Sequence, residues 1–180
     1  MLMKHKIALG LFLSLLPGFV MATSPEQLFK TAGGYGCTAC HGKYAHGGGF
    51  VGGNIRGATR EKLDIAFETQ PTMLLLATVM DENKRNALVE HLASLSEMQL
   101  LEWRIGESTT TKVVTVKADH RAQLVLFNGT FDTLSLDLSA LGETNNYQIK
   151  AYDTQAITWV PKAGRYPLFF NNEHFVIDAN

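Results

Sequence analysis

The hydrophobic period of this chain changes near residue 105, and this change constrains its architecture more than any other feature. Before it, apolar residues such as Leu88, Leu92 and Leu95 recur at helical spacing between glycine-rich stretches. After it, apolar and polar residues alternate in steps of two, as in 133–138. We therefore predict α and β elements in separate domains: an all-α part over 23–105 and an antiparallel β-sandwich over 106–180.

The boundaries of the predicted elements follow from capping and turn residues. Ser24-Pro25-Glu26-Gln27 has the pattern of a capping box, so the first helix is expected to start there. A second helix is expected after Thr59, and a third from Asp81, whose charge suits a helix N-terminus. About seven short strands are expected in the second part: 112–117, 123–127, 133–138, 147–152, 157–160, 168–170 and 174–178.

Residues 1–22 have the layout of a secretory signal peptide. Lys4 and Lys6 precede an apolar run, and small or modest side chains follow before a polar segment. The run is too short for a membrane anchor, which needs ~20 apolar residues. We therefore expect an exported, soluble periplasmic protein with no membrane span after cleavage.

The formal net charge is −1, so the chain lacks the surplus of basic residues found in nucleic-acid binders, and no nucleic-acid partner is expected.

The motif that carries chemistry is Cys37-Thr38-Ala39-Cys40-His41, which contains both cysteines of the chain. Two thiols at this spacing can each form a thioether with one haem, and the following histidine can then bind the iron. A redox cysteine pair and half of a zinc site are the alternatives. The first lacks a βαβ context, and the second lacks another cysteine pair. We predict one covalent haem c, held by Cys37 and Cys40, with His41 as the proximal ligand.

Residues 24–97 resemble a small class I, mono-haem cytochrome c. The similar features are a helix leading into the motif, Gly42 after the histidine, and the segment Gly53-Asn54-Ile55-Arg56-Gly57-Ala58-Thr59. The resemblance implies an all-α cytochrome c fold with an axial methionine before the last helix. The family often has a proline before Asn54 whose carbonyl accepts from the proximal histidine. This chain has Val51-Gly52-Gly53 there, and a backbone carbonyl needs no particular side chain.

The sixth iron ligand has four candidates: Met73, Met80, His46 and His91. Met80 adjoins the helix expected at Asp81, which leaves no loop to carry its sulfur to the iron. Met73 leaves a segment of the length seen in the family, so it is the predicted ligand. If that segment is helical, Met73 and Met80 share a face and the choice is less secure. His91 is expected to be a packing residue, and His46 could reach the iron only by a long swing.

These residues predict an electron-transfer protein without catalytic residues, and therefore not an enzyme. A haem with His41 and Met73 on the iron would exchange one electron with redox-protein donors and acceptors. The β part is expected to dock to such a partner. The alternative is a haem-based sensor with a displaceable sixth ligand. A peroxidase would need a distal acid–base pair that the sequence does not show.

Asn128-Gly129-Thr130 matches a glycosylation sequon but is expected to be a structural turn.

Overall fold

The structure is a computed structural model that describes residues 23–107 and 110–180. The predicted signal peptide at 1–22 lies outside the described residues. Within these two ranges, every helix is too short or too polar to cross a membrane.

Five α-helices form the first part of the described chain. Ser24 caps the first helix by accepting from the Gln27 N–H at 3.1 Å, and Asp81 caps the fifth by accepting from the Lys84 N–H at 3.0 Å. Thr59 caps the third. The helix starts predicted from the sequence are thus confirmed. The helices are α1 Pro25–Thr31, α2 Thr38–His41, α3 Arg60–Thr69, α4 Pro71–Ala77 and α5 Glu82–Ser96.

The helices share an apolar core of their own. Helix α1 packs on α5, and α3 packs on both α4 and α5. Helices α1, α3 and α5 contribute large apolar side chains that are nearly inaccessible to water, and α4 contributes partly buried ones. This burial provides the main driving force for their association. The large apolar side chains buried in this helical core are Phe29, Leu63, Phe67, Met80, Leu88, Leu92 and Leu95.

Eight strands follow in the described part of the chain and form three sheets. One sheet has the order β1-β3-β6, a second has the order β2-β8-β7, and β4 pairs with β5 in a small ladder. Strand β1 runs parallel to β3, and β2 runs parallel to β8, while the other pairs are antiparallel. The strands are β1 Gln99–Ile105, β2 Thr111–Val116, β3 Ala122–Asn128, β4 Leu134–Leu136, β5 Tyr147–Ile149, β6 Thr154–Trp159, β7 Gly164–Phe170 and β8 Glu173–Ala179.

The predicted fold class is wrong in both of its parts. In the described residues there is no long all-α cytochrome c domain: α5 has 15 residues, the other α-helices have 4 to 10, and strands are about as abundant as helices. The second part is not an antiparallel sandwich, since both three-stranded sheets contain a parallel pair. Alternation of apolar residues indicates that a segment is a strand, but it does not indicate which distant strand it pairs with.

Strand β1 lies inside the segment predicted to be helical. Its side chains belong to the β core, where Trp103 of β1 stacks on Phe175 of β8 with ring centroids 5.4 Å apart. Trp103 therefore packs within the β core. The helical core extends to Met98 and the β core begins at Leu101, so the two cores divide between these residues.

Asn128 closes one end of the β core. Its side chain is fully buried, and its amide N–H groups donate to the carbonyls of Asp132, Ile149 and Lys150 at 2.7–3.1 Å. Its Oδ1 accepts from the backbone N–H and the hydroxyl of Thr130. The asparagine of the sequon is thus enclosed and joins β3 to the segments on either side of the β4–β5 ladder. The expectation of a structural turn is confirmed.

Candidate functional site

Glycine-rich turns place the Cys37–His41 motif directly after α1. Gly36 follows the helix with a φ of 69°, and a Cβ on it would lie 2.1 Å from the carbonyl oxygen of Lys30. Only glycine fits such an approach. The Cys37 N–H then donates to the carbonyl of Phe29 at 2.8 Å. The motif is therefore fastened to the C-terminal end of α1, with Cys37 capping α2 and His41 as its last residue.

Both cysteines are free thiols, and Cys37 is buried while Cys40 is half-buried. Burial raises the pKa of the Cys37 thiol to about 11. A redox cysteine pair needs the opposite, a thiol whose pKa is lowered toward neutrality. Nor do His, Cys, Asp or Glu side chains in the part of the chain that the structure describes form a group of three that could hold a metal ion. The geometry favours neither the redox pair nor the zinc site.

His41 is oriented by a backbone carbonyl. Its Nδ1 lies 2.9 Å from the carbonyl oxygen of Gly53. Since a carbonyl can only accept, this contact assigns the proton to Nδ1 and leaves the lone pair of Nε2 available to a metal. The hydrogen bond implied by the resemblance is therefore present although the proline is absent. Orientation of a ligating histidine through its second ring nitrogen is the usual arrangement at metal centres.

The loop before Gly53 passes close to His41 at Gly52. A Cβ on Gly52 would lie 2.5 Å from His41 Nδ1 and 2.7 Å from the carbonyl oxygen of Cys40. Both distances are shorter than any ordinary contact. The Gly52 N–H also donates to that same Cys40 carbonyl at 2.8 Å. The loop therefore runs so close to the imidazole that only a residue without a side chain fits at 52.

Two cavities adjoin the motif and share some of their walls. The first, of about 270 Å³, has mostly apolar walls that include Ile55, Leu63, Leu88 and Leu92. The second, of about 230 Å³, lies against the loop that contains Gly52. Each is slightly smaller than the ~300–1,000 Å³ typical of ligand pockets. Four residues line both cavities: Cys37, His41, Gln70 and Met73.

The residues present at these cavities fit a covalently attached haem. Two thiols and an imidazole with an available nitrogen lie beside cavities with mainly apolar walls, as a large, flat, apolar macrocycle requires. A thioether sulfur, that of Met73, lines the same cavities. This is the donor set of a His–Met iron centre, in which His41 and Met73 would be the ligands.

The structure separates the four candidates for the sixth ligand. Met73 is half-buried on α4 and lines both cavities with His41. Met80 is 2% exposed in the helical core and lines neither cavity. Helix α4 ends at Ala77, so the two methionines do not share one helix. His91 packs against Phe29 with ring centroids 5.5 Å apart, which confirms its packing role.

His46 is held away from both cavities. It is 9% exposed, and residues 46 and 54 form an isolated antiparallel bridge. A Cβ on Gly42 or Gly48 would lie 2.6 or 2.3 Å from its ring, so the ring fills the space that these glycines leave. Burial lowers the pKa of His46 below its ordinary value, which favours the neutral ring. Its geometry is that of a packed side chain and not of a distal ligand.

Two further residues that line the site, Gln70 and Arg56, had no role in the sequence interpretation. Gln70 lines both cavities from the junction of α3 and α4, and no motif could have indicated it. Arg56 lines the first cavity within the segment already compared with the family. Arg85 lies outside both cavities and donates to Asp64 Oδ1 and to the Met80 carbonyl, both at 2.8 Å. It ties α5 to α3 and to the turn after α4.

The chain matches no protein-family model, and no curated protein matches its sequence. The functional interpretation therefore depends on the chemistry of the site.

Proposed function

We propose that this protein is an electron-transfer protein of the periplasm that carries one covalent haem c on Cys37 and Cys40. One observation carries the proposal: His41, at the end of the C-x-x-C-H turn, is oriented by Gly53 so that its free nitrogen remains available beside cavities lined by Cys37 and Met73. The haem, when bound, supplies a one-electron iron couple. Neither the redox-pair nor the zinc alternative accounts for the cavities or for the methionine.

Each residue of the site has a distinct task in this proposal. Cys37 and Cys40 would hold the haem covalently, and His41 Nε2 would bind the iron. The Met73 sulfur would be a second protein ligand, and a neutral thioether raises the reduction potential compared with a second histidine. Ile55, Leu88 and the other apolar wall residues exclude water, which further tunes that potential.

The residues around the cavities support electron transfer more than catalysis. The titratable side chains that line the two cavities are Cys37, Cys40, His41, Arg56 and Lys62, and none is a carboxylate. A peroxidase or hydrolase site would need an acid–base pair within reach of a bound substrate. We therefore include in the proposal that the protein exchanges electrons with redox proteins and is not an enzyme.

Exposed aromatic rings support a docking role for the β part. Phe50, in the loop after the motif, is 90% exposed. It shares a cleft of about 300 Å³ with Tyr152 of the β part and with Thr38 of the attachment turn. Tyr152 contacts Phe131, which is 85% exposed, edge to face at 5.3 Å. Aromatic residues are enriched at protein interfaces, so a redox partner could approach the haem edge here and contact both parts.

The test is expression of the full chain in a host that matures c-type cytochromes. The reduced-minus-oxidised absorbance spectrum should show the bands of a c-type haem, at one haem per chain. Cys37→Ser and Cys40→Ser should each remove one thioether, and His41→Ala should abolish holoprotein accumulation because the iron loses its proximal ligand. His120→Ala, a change of a histidine in the β part, serves as the control and should leave the spectrum unchanged. Wild-type protein without haem bands would contradict the proposal.

One observation favours the alternative of a sensor with a displaceable sixth ligand. Helix α4, which carries Met73, has no fully buried side chain and no side-chain cap at its N-terminus. An element held so weakly can move away at low cost. Carbon monoxide added to the reduced protein distinguishes the two functions. A prompt spectral shift would support the sensor, whereas an unchanged spectrum would support the electron carrier.

A further inference from the structure

The segment that holds His41 is attached to the β part of the molecule. Residues 53–57 begin with the carbonyl that orients His41 and end at Gly57, whose N–H donates to the Leu92 carbonyl of α5 at 2.8 Å. Between them, the Arg56 N–H donates to Asn54 Oδ1 at 3.0 Å and closes a tight turn. Gly53 and Arg56 therefore belong to one short, internally bonded unit.

The side chain of Arg56 joins this unit to two other elements. Its guanidinium donates to the carbonyls of Leu95 and Met98, at the C-terminal end of α5, where a cation also interacts favourably with the helix dipole. Its Nη1 donates to Gln123 Oε1 of β3 at 2.9 Å. Gln123 is 6% exposed, so the contact is well shielded from water. A guanidinium can reach all three acceptors at once because its donors are spread over a rigid plane.

A second attachment lies on the other side of His41. Lys43 Nζ donates to Asp153 Oδ1 at 2.6 Å and to the Thr154 carbonyl at 3.0 Å, both at the start of β6. Lys43 and Asp153 are partly exposed, so this ion pair is expected to contribute little. The half-buried Arg56 contacts are the stronger attachment, since charge-assisted hydrogen bonds gain strength away from water.

We propose that Arg56, anchored by Gln123 of β3, is a positioning residue for His41. It keeps the Gly53 carbonyl against the imidazole Nδ1, so the β sheet controls the orientation of the proximal ligand. The role of His41 as an iron ligand rests on the function proposed above. The control of its imidazole by Arg56 applies to the haem-free chain as well. The β part then has a task inside the protein besides any contact with a partner.

The test uses two substitutions and a matched control in the full chain. Arg56→Lys keeps the positive charge, but a lysine side chain cannot reach the Leu95 and Met98 carbonyls and Gln123 Oε1 together. Gln123→Met keeps the size of the side chain and removes the acceptor on β3, together with a long hydrogen bond of 3.4 Å that Gln123 Nε2 donates to Thr158 Oγ1. Arg104→Lys is the control, because Arg104 makes a paired contact with Glu107 on the exposed side of β1. Amide hydrogen exchange at Ile55 and Gly57 is measured in the haem-free protein, together with exchange of the His41 ring N–H.

Arg56→Lys should accelerate exchange at these three positions about tenfold or more, the scale of losing a charged hydrogen bond. Gln123→Met should act in the same direction and less strongly, and Arg104→Lys should have no effect. If Arg56→Lys does not fold, Gln123→Met decides alone. If the variants have lower melting temperatures but the exchange rate of the His41 ring N–H is unchanged, the proposal is overturned, because the Arg56 contacts are then purely structural. Absence of haem from the wild type would instead refute the proposed function, and the exchange result would still stand.

Discussion

Two adjacent glycines offer a sharp test of how His41 is held. Gly52→Ala would place a Cβ 2.5 Å from His41 Nδ1 and 2.7 Å from the Cys40 carbonyl oxygen, both about 1 Å too close for ordinary contact. A Cβ on Gly53 would have no atom within 4 Å. Neither glycine has a φ in the left-handed region. The two substitutions therefore differ in steric contact and not in backbone strain.

The expected free energies follow from these contacts. Gly52→Ala should destabilise the protein by about 1–3 kcal/mol from overpacking, and by a further ~1 kcal/mol if the His41–Gly53 hydrogen bond is lost. Gly53→Ala should be neutral, or should stabilise the protein by up to ~1 kcal/mol because alanine restricts the unfolded chain. Chemical unfolding of both haem-free variants gives these values directly. Gly52→Ala should also reduce covalent haem yield, whereas Gly53→Ala should not.

Equal free energies of unfolding for the two variants would refute the reasoning. They would mean that the loop does not approach His41 as closely as the distances at Gly52 indicate. A large loss of stability in Gly53→Ala with none in Gly52→Ala would contradict it even more directly.

Three further predictions concern the rest of the molecule. Asn128→Ala should cost about 2–4 kcal/mol, because it removes the hydrogen bonds that the fully buried amide donates to three carbonyls and accepts from the Thr130 N–H; urea unfolding measures this, and a loss below ~1 kcal/mol would contradict it. Met73→Ala should shift the spectrum and reduction potential of the holoprotein, whereas Met80→Ala should mainly lower stability; the reverse pattern would exchange their roles. The hydrogen bond from Arg85 lowers the pKa of Asp64 from 3.8, so this pair should stabilise the protein at neutral pH and lose its effect as the pH falls below that value. Arg85→Met should therefore flatten the acid limb of a plot of melting temperature against pH, and an unchanged limb would exclude this contribution.

The parts of the fold that the sequence could predict are those set by local chemistry. The helix starts at Ser24 and Asp81 depend on a side chain that accepts from an N–H three residues later, and that pattern is visible in the sequence. Most of the strands after residue 110 could be located because alternation is also local. The parallel pairing of β1 with β3 could not, since it depends on contacts between distant segments.

The site shows the same division between local and distant chemistry. Spacing alone indicated Cys37, Cys40 and His41 as a group. The partner of His41 could be expected as a backbone carbonyl, but the tight approach of Gly52 to the imidazole was not visible in the sequence. Arg56 gave no signal either, because its acceptors at Leu95, Met98 and Gln123 are far away along the chain. A positioning contact of this kind is only recognisable once the fold brings its partners together.

The central claim is that Cys37 and Cys40 hold a haem through thioether bonds. Intact-mass spectrometry under denaturing and reducing conditions tests it most directly, applied to full-length protein matured in a host with cytochrome c assembly machinery. A covalent haem predicts a chain heavier by one haem, without thiols that react with an alkylating reagent. A chain of unmodified mass with two alkylated cysteines would contradict the account.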